Sequence, residues 1–268
     1  MQEDQGKIVR DTAEAIEGVA KAVPIYQDLV RPAAQEVGTV LARTVHAALA
    51  PLRGLVWGVE QIEEYLYSTL AEKLKRVPNE RIQTPEPTIA GPALEALRFA
   101  GKEPVLREMY ANLLATAMDR EMAERAHPAF VDIIRQLAPD EAKILRWIVA
   151  AKHRARPVIN VYSRDKEGVG QRGVLRHFSL LGVEAGCEHP HLTSNYLENL
   201  CRLALMEMPE GRSYADKSVY EPLENHPEVL ALKKQIETDG RVPWIAQEAF
   251  DVTTFGVQFL NASVIEPS

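Results

Sequence analysis

Four side chains in the carboxy-terminal half are of the types that bind a transition metal: Cys187, His189, His191 and Cys201. Zinc takes thiolate and imidazole ligands in tetrahedral sets, and the Cys187-x-His189-x-His191 spacing lets three neighbours on an extended segment point the same way. The step to Cys201 is irregular, and Cys201 falls on the apolar side of its own helix. Two core cysteines with solvent-exposed histidines are therefore the simpler expectation. Glu124-x-x-His127 has the i, i+3 spacing of carboxylate-bridged di-iron sites, which need two such motifs and two further glutamates. The other copy, Glu188-x-x-His191, contains Pro190, so His127 is expected to cap or pack at the turn before Pro128. Gly168, Gly170 and Gly173 fit the G-x-G-x-x-G string, but the charged run RDKE at 164–167 precedes them where a buried strand should end. They read as a surface loop. No G-x-S-x-G, H-E-x-x-H or P-loop string occurs. The expectation is a protein without a reaction centre, cofactor or evident small-molecule substrate.

Charge is unevenly spread. The chain carries a net charge of −7, which disfavours a general nucleic-acid binder, yet residues 143–176 hold nine basic and two acidic side chains. Lys143, Arg146, Lys152, Arg154, Arg156, Arg172 and Arg176 form the candidate nucleic-acid patch. Only 6% of residues are aromatic, which speaks against a stacking surface for single strands.

The element that must organise the chain is the stretch 103–151. Leu106, Met109 or Tyr110, Leu113 and Ala117 recur at helical spacing; after His127-Pro128 the period returns in Phe130, Ile133, Ile134 and Leu137. Pro139-Asp140-Glu141 then reads as the cap and first turn of a helix carrying Ile144, Leu145, Trp147 and Ile148. Upstream, residues 4–22 suggest a weakly amphipathic helix, and 37–70 a longer one. In that longer helix Leu41, Val45, Leu49, Leu52, Val56 and Val59 share a face for a partner or a membrane surface. Arg43 and Arg53 leave too short an apolar run between them to span a bilayer, so burial in a bundle is expected, with interfacial binding second. Four prolines between 76 and 92 predict an extended connector, a helix resumes at Pro92 with Leu94, Leu97 and Phe99, and Gly101 ends it.

Beyond 151 the pattern mixes. PVINVYS predicts a strand, and LTSNYLENLCRLALMEM a helix capped by Thr193 or Ser194 with Leu197, Leu200, Cys201 and Leu203 inside. A hairpin is expected to pair MEM with SVY. A helix at 227–236, a strand at 242–252 and a last helix opened by Thr253 close the chain. This order predicts a mainly α protein: an amino-terminal helical bundle at 1–138, then a winged-helix-like α+β domain at 139–268. The helix after 193 would be the recognition helix, although Asn195, Tyr196, Glu198, Asn199 and Arg202 suit a groove poorly. Composition is that of a soluble globular protein, two cysteines exclude a disulfide scaffold, and the acidic amino terminus lacks a signal peptide's basic start. A cytoplasmic location follows as the expectation, with the inner membrane face as a peripheral one.

ALEALRF, LREMYANLLATAMD, HPAFVDIIRQLAPDEAKIL, YLENLCRLALMEMPEG and TTFGVQFL, with PIYQDLVRPAAQEVG and APLRGLVWGVEQIEEYL upstream, resemble the abortive-infection-alpha family of bacterial proteins. The resemblance runs from about residue 23 to residue 264, and NLLA and HPxF are its most specific strings. It implies bacterial origin, a role in aborting phage infection and no assigned active site. The expected function is a non-enzymatic defence component acting through a protein partner or as a homo-oligomer. Membrane association through 37–70 and nucleic-acid binding are the alternatives.

Overall fold

A computed structural model describes residues 59–151, 155–167, 170–209 and 211–266. The helices of the first half are α1 (Val59–Lys73), α2 (Pro87–Ala100), α3 (Pro104–Met118), α4 (Ala129–Arg135) and α5 (Pro139–Ala151). Strands β1 (Arg156–Arg164) and β2 (Gln171–Phe178) follow, then α6 (Leu181–Glu184), α7 (Thr193–Arg202), β3 (Met206–Glu207), α8 (Glu221–Glu224) and α9 (Pro227–Thr238). Strand β4 (Val242–Val252), α10 (Thr254–Phe259) and a π-helical turn (Leu260–Val264) end the described chain. The protein is mainly helical, with one small antiparallel sheet of order β2-β1-β4-β3.

Helix α3 is the centre. Pro104 supplies a preorganised first turn, and every residue from Met109 to Met118 is buried, so the helix is enclosed on all sides. Helices α1, α2, α4 and α5 and the π turn pack around it. The π turn is pinned by side chains of α3: Asn112 Nδ2 donates to the carbonyl of Ser263 (3.2 Å), and Thr116 Oγ1 to that of Ala262 (3.0 Å). A widened turn leaves carbonyls without their helical partners, and these two side chains satisfy them.

The strings that resemble the family meet at this joint. His127 Nδ1 accepts from the amide of Ala129 (3.1 Å), and its ring lies against Phe130 and Phe255. Phe130 packs edge-on against Phe259 at 5.3 Å between centroids. Gly256 allows the approach, because a Cβ there would collide with the carbonyl of Leu205. NLLA, HPAF and TTFGVQFL thus hold the carboxy-terminal helix on the helical core.

The larger core cluster runs from Ile62 on α1 to Ala262, taking in Val158, Met206, Phe250 and Val252 of the sheet. A smaller cluster, Ile159, Val161, Tyr220, Leu223, Val229 and Ile236, covers the opposite sheet face with α8 and α9. Consecutive residues 158–161 are therefore all buried, the mark of a strand covered on both sides.

Several expectations are corrected. The connector is shorter than 76–92, since α2 begins at Pro87, in a first turn whose amides have no helical partner anyway, and runs on through Pro92, which lies inside the helix and forgoes one helical hydrogen bond. Phe99 lies on this helix as expected and is 77% exposed. MEM does not pair with SVY. Met206 and Glu207 pair with Val252 and Asp251 of β4, while residues 217–220 form a 3-10 turn opened by Asp216, which accepts from the amide of Ser218. Tyr220 is drawn inward to donate to the carbonyl of Glu248 (2.8 Å). Neither Thr193 nor Ser194 caps α7: a 3-10 turn at Pro190–Leu192 feeds straight into it, with Thr193 already helical. The residues before 59, including Leu41, Val45, Leu49, Leu52 and Val56, lie outside the described residues, as do Lys152 and Arg154. Val59 opens α1, and farther along that helix Ile62, Leu66 and Leu70 are covered by the same chain.

Candidate functional site

The most perturbed carboxyl group sits at the start of α5. Asp140 is 4% exposed, and its two oxygens receive four donors. Lys143 Nζ (2.8 Å) and the Glu188 amide (2.9 Å) donate to Oδ1; the His189 amide (2.8 Å) and the Tyr196 hydroxyl (3.1 Å) donate to Oδ2. Burial alone would push this carboxyl up. The bonds from Lys143, the two amides and Tyr196 outweigh it and hold the group well below the usual carboxylate range. A carboxylate offers about four lone-pair sites, so none is left to take a substrate's proton.

Its neighbours are equally committed. The Cys187 thiol lies 3.5 Å from the Asp140 carbonyl, and burial, then Asp140 itself, push it up to about 11, far from a nucleophilic thiolate. Burial and the bond to Asp140 push Tyr196 up to about 12. Glu141 reaches back to the Ala138 amide (2.8 Å), the returning half of a capping box, and accepts from Asn199 (2.9 Å). Arg202 donates to Asn199 and Gln136. Asn199 and Arg202 thus fasten α7 to the turn between α4 and α5 and Tyr196 to the first turn of α5, while Asn195 and Glu198 are exposed.

The cysteine and histidine quartet is not assembled. His189 and His191 are exposed with their rings 5.9 Å apart, while Cys187 and Cys201 are half-buried against the core. Among the described residues no group of three or more His, Cys, Asp or Glu could hold a metal ion. Of the glycine string, Gly168 lies outside the described residues; the Gly170 amide donates to Asp165 (2.7 Å), and a strand containing Gly173, not a helix, follows. Of the basic candidates, Lys143 is bonded to Asp140, and Arg156 is partly buried with its guanidinium 3.9 Å from the Trp147 ring centre. Arg146 is exposed on α5, and Arg172 and Arg176 are exposed on β2.

Two features went unread in the sequence. An open cleft of about 410 Å³ between α1 and α3 is lined by Ser68, Thr69, Arg76 and Lys73, the last paired with Glu108 (3.2 Å) and Glu266 (3.6 Å). On β2, register shifts against β1 mark bulges, and one of them sets His177 at φ +54° with its amide donating to the buried Asn160 (2.7 Å). Burial, then Arg176, hold this imidazole below the usual histidine value, with Glu198 3.4 Å from Nδ1. A His in a run of exposed β2 residues carries no sequence sign of either property. Among the described residues no helix is long and apolar enough to cross a membrane.

No curated protein matches this chain. Among solved structures it is similar to an uncharacterized protein from the hydrocarbon-degrading marine bacterium Alcanivorax borkumensis SK2, at 17% identity and a TM-score of 0.38, over 53% of this chain and 96% of that one. The abortive infection alpha profile matches residues 59–263, spanning every helix from α1 to α10 and the whole sheet. The chain belongs to the abortive infection alpha family.

Proposed function

We propose that this protein is a component of abortive phage defence that works by contact with other proteins and not by a reaction of its own. Family membership over residues 59–263 carries the reading. The state of Asp140 supports the second half of it: the group with the strongest perturbation, where a catalytic carboxylate would be sought first, is filled by four structural donors. The contact is with a partner protein or a second copy of the chain. Large side chains are available for it on the helical side, with Phe99 77% and Tyr67 50% exposed.

Plating efficiency of a broad phage panel on bacteria producing the protein tests the proposal. Wild type is expected to lower plating for at least one phage. The Tyr67→Asp/Phe99→Asp variant, produced at an equal soluble level, is expected to restore it. Unchanged plating with wild type across the panel would overturn the defence role, and full protection by the double variant would overturn this contact surface.

A further inference from the structure

The two ends of β1 have different surroundings. At its inner end Val158 and Asn160 are buried beneath the helices; farther along the same face the next residues, Tyr162 and Arg164, lie partly open. Strand register then builds a row across three strands. Tyr162 stands opposite Trp244 of β4, with ring centroids 5.2 Å apart, and opposite Gly173 of β2. Arg164 lays its guanidinium 3.6 Å from the Trp244 ring centre, and its Nε donates to Gln171 of β2 (3.2 Å). Gly173 leaves a gap between Tyr162 and Arg176: a Cβ there would lie 3.9 Å from the Tyr162 ring and 3.8 Å from Arg176 Cγ. Arg176, Tyr162, Trp244 and Arg164 therefore share one face.

Charge on this face is unbalanced. No ion pair among the described residues involves Arg164, Arg172 or Arg176. Of the acidic residues on the adjoining turn, Asp165 accepts from the Gly170 amide and so faces into the hairpin. Surface arginines often stack on aromatic rings for packing alone. That reading accounts for Arg164, but it leaves Trp244 37% exposed and, among the described residues, Arg176 without an ion-pair partner.

We propose that this sheet face binds single-stranded nucleic acid, with bases stacking on Tyr162 and Trp244 and phosphates meeting Arg164 and Arg176. Two rings side by side offer a platform that only unpaired bases can occupy, and the arginines complement a phosphate backbone. A duplex keeps its bases stacked on each other and gains nothing from the rings. The low aromatic content of the chain is no obstacle, because the register of β1 with β4 gathers two aromatics at one place. This inference concerns a different surface from the protein contact proposed above and stands or falls apart from it.

The test uses the full chain and labelled oligouridine and oligothymidine of about twelve nucleotides, with fluorescence anisotropy at low salt and a duplex of equal length as the comparison. Single strands are expected to bind more tightly than the duplex. Tyr162→Ala and Trp244→Ala are each expected to weaken binding by roughly ten-fold or more, with unchanged circular dichroism. Arg176→Glu, an exposed change that keeps the rings, should weaken binding and flatten its salt dependence, while Arg146→Glu on α5 should do neither. A preference for uridine or thymidine strands assigns the site to RNA or DNA. Absence of single-strand binding at low salt overturns the proposal. So does duplex binding of equal strength, or equal losses from Arg176→Glu and Arg146→Glu, and these outcomes hold even if an aromatic variant fails to fold.

Discussion

Asp140 has four hydrogen-bond donors on its two oxygens, whereas beside Trp244 neither Arg164 nor Arg176 is in an ion pair among the described residues. The first region is buried, and one side chain joins α5 to the turn before α7 through the Glu188 and His189 amides and to α7 itself through Tyr196, with Lys143 of α5 as its fourth donor. The second lies on the open end of the sheet, where Arg164 rests on a ring instead of an acid. A buried carboxylate must be saturated or it destabilises the fold, so its surroundings are fixed by stability. Surface arginines face no such demand, and their arrangement is available for binding. Perturbation alone therefore misleads as a guide to function here: the strongest shift marks a fastening.

The variants that sharpen this contrast can be ranked. Phe130, wholly buried between His127, Phe255 and Phe259, should cost the most: Phe130→Ala is expected to lower unfolding free energy by about 3–5 kcal/mol in urea titration. A loss near that of a surface change would mean that the family strings do not form the joint described. Asp140→Ala follows at about 3 kcal/mol, because it strands two amides and the Tyr196 hydroxyl and frees Lys143. His177→Asn should have a smaller effect, visible in its pH dependence. The folded imidazole is held below its ordinary value near 6.5, so the unfolded chain binds the proton more readily. Stability is then lost as pH falls from that value toward the folded one, and the asparagine variant, which also tolerates the left-handed backbone, should lack that loss. Arg164→Ala, at the open end of the sheet, should change stability by no more than about 0.5 kcal/mol. A loss as large as that from Asp140→Ala would remove the distinction between the two regions.

Helical parts of the fold could be read directly from residue spacing. The spacing of Leu106, Met109, Leu113 and Ala117 marked α3, though not its burial on every side, Pro139 and Glu141 announced the start of α5, and Thr253 is the cap of α10, accepting from the Gly256 amide. His127 caps its turn as its place before Pro128 suggested. What stayed hidden depends on partners far away in the chain. Strand β2 has no alternation to reveal it, because bulges break its register and most of its residues are exposed. The SVY segment looks like a strand by composition, but the inward bond of Tyr220 to Glu248 and the Asp216 cap turn it into a 3-10 helix. Asp140 resembles any acidic residue in a helix's first turn, since its donors are two backbone amides and a tyrosine some fifty residues later. The row on the sheet needs the pairing of Tyr162 with Trp244, which no local pattern encodes.

The pH dependence of stability in Asp140→Asn, compared with wild type by urea unfolding, tests most directly whether this carboxylate is an ionised fastening. Its folded value is depressed, so its contribution is present at neutral pH and disappears as pH falls below the ordinary carboxylate value of about 4. Wild type should be the more stable protein at pH 7, with the gap closing on acidification. A gap that is absent at neutral pH, or that stays constant into acid, would contradict the account.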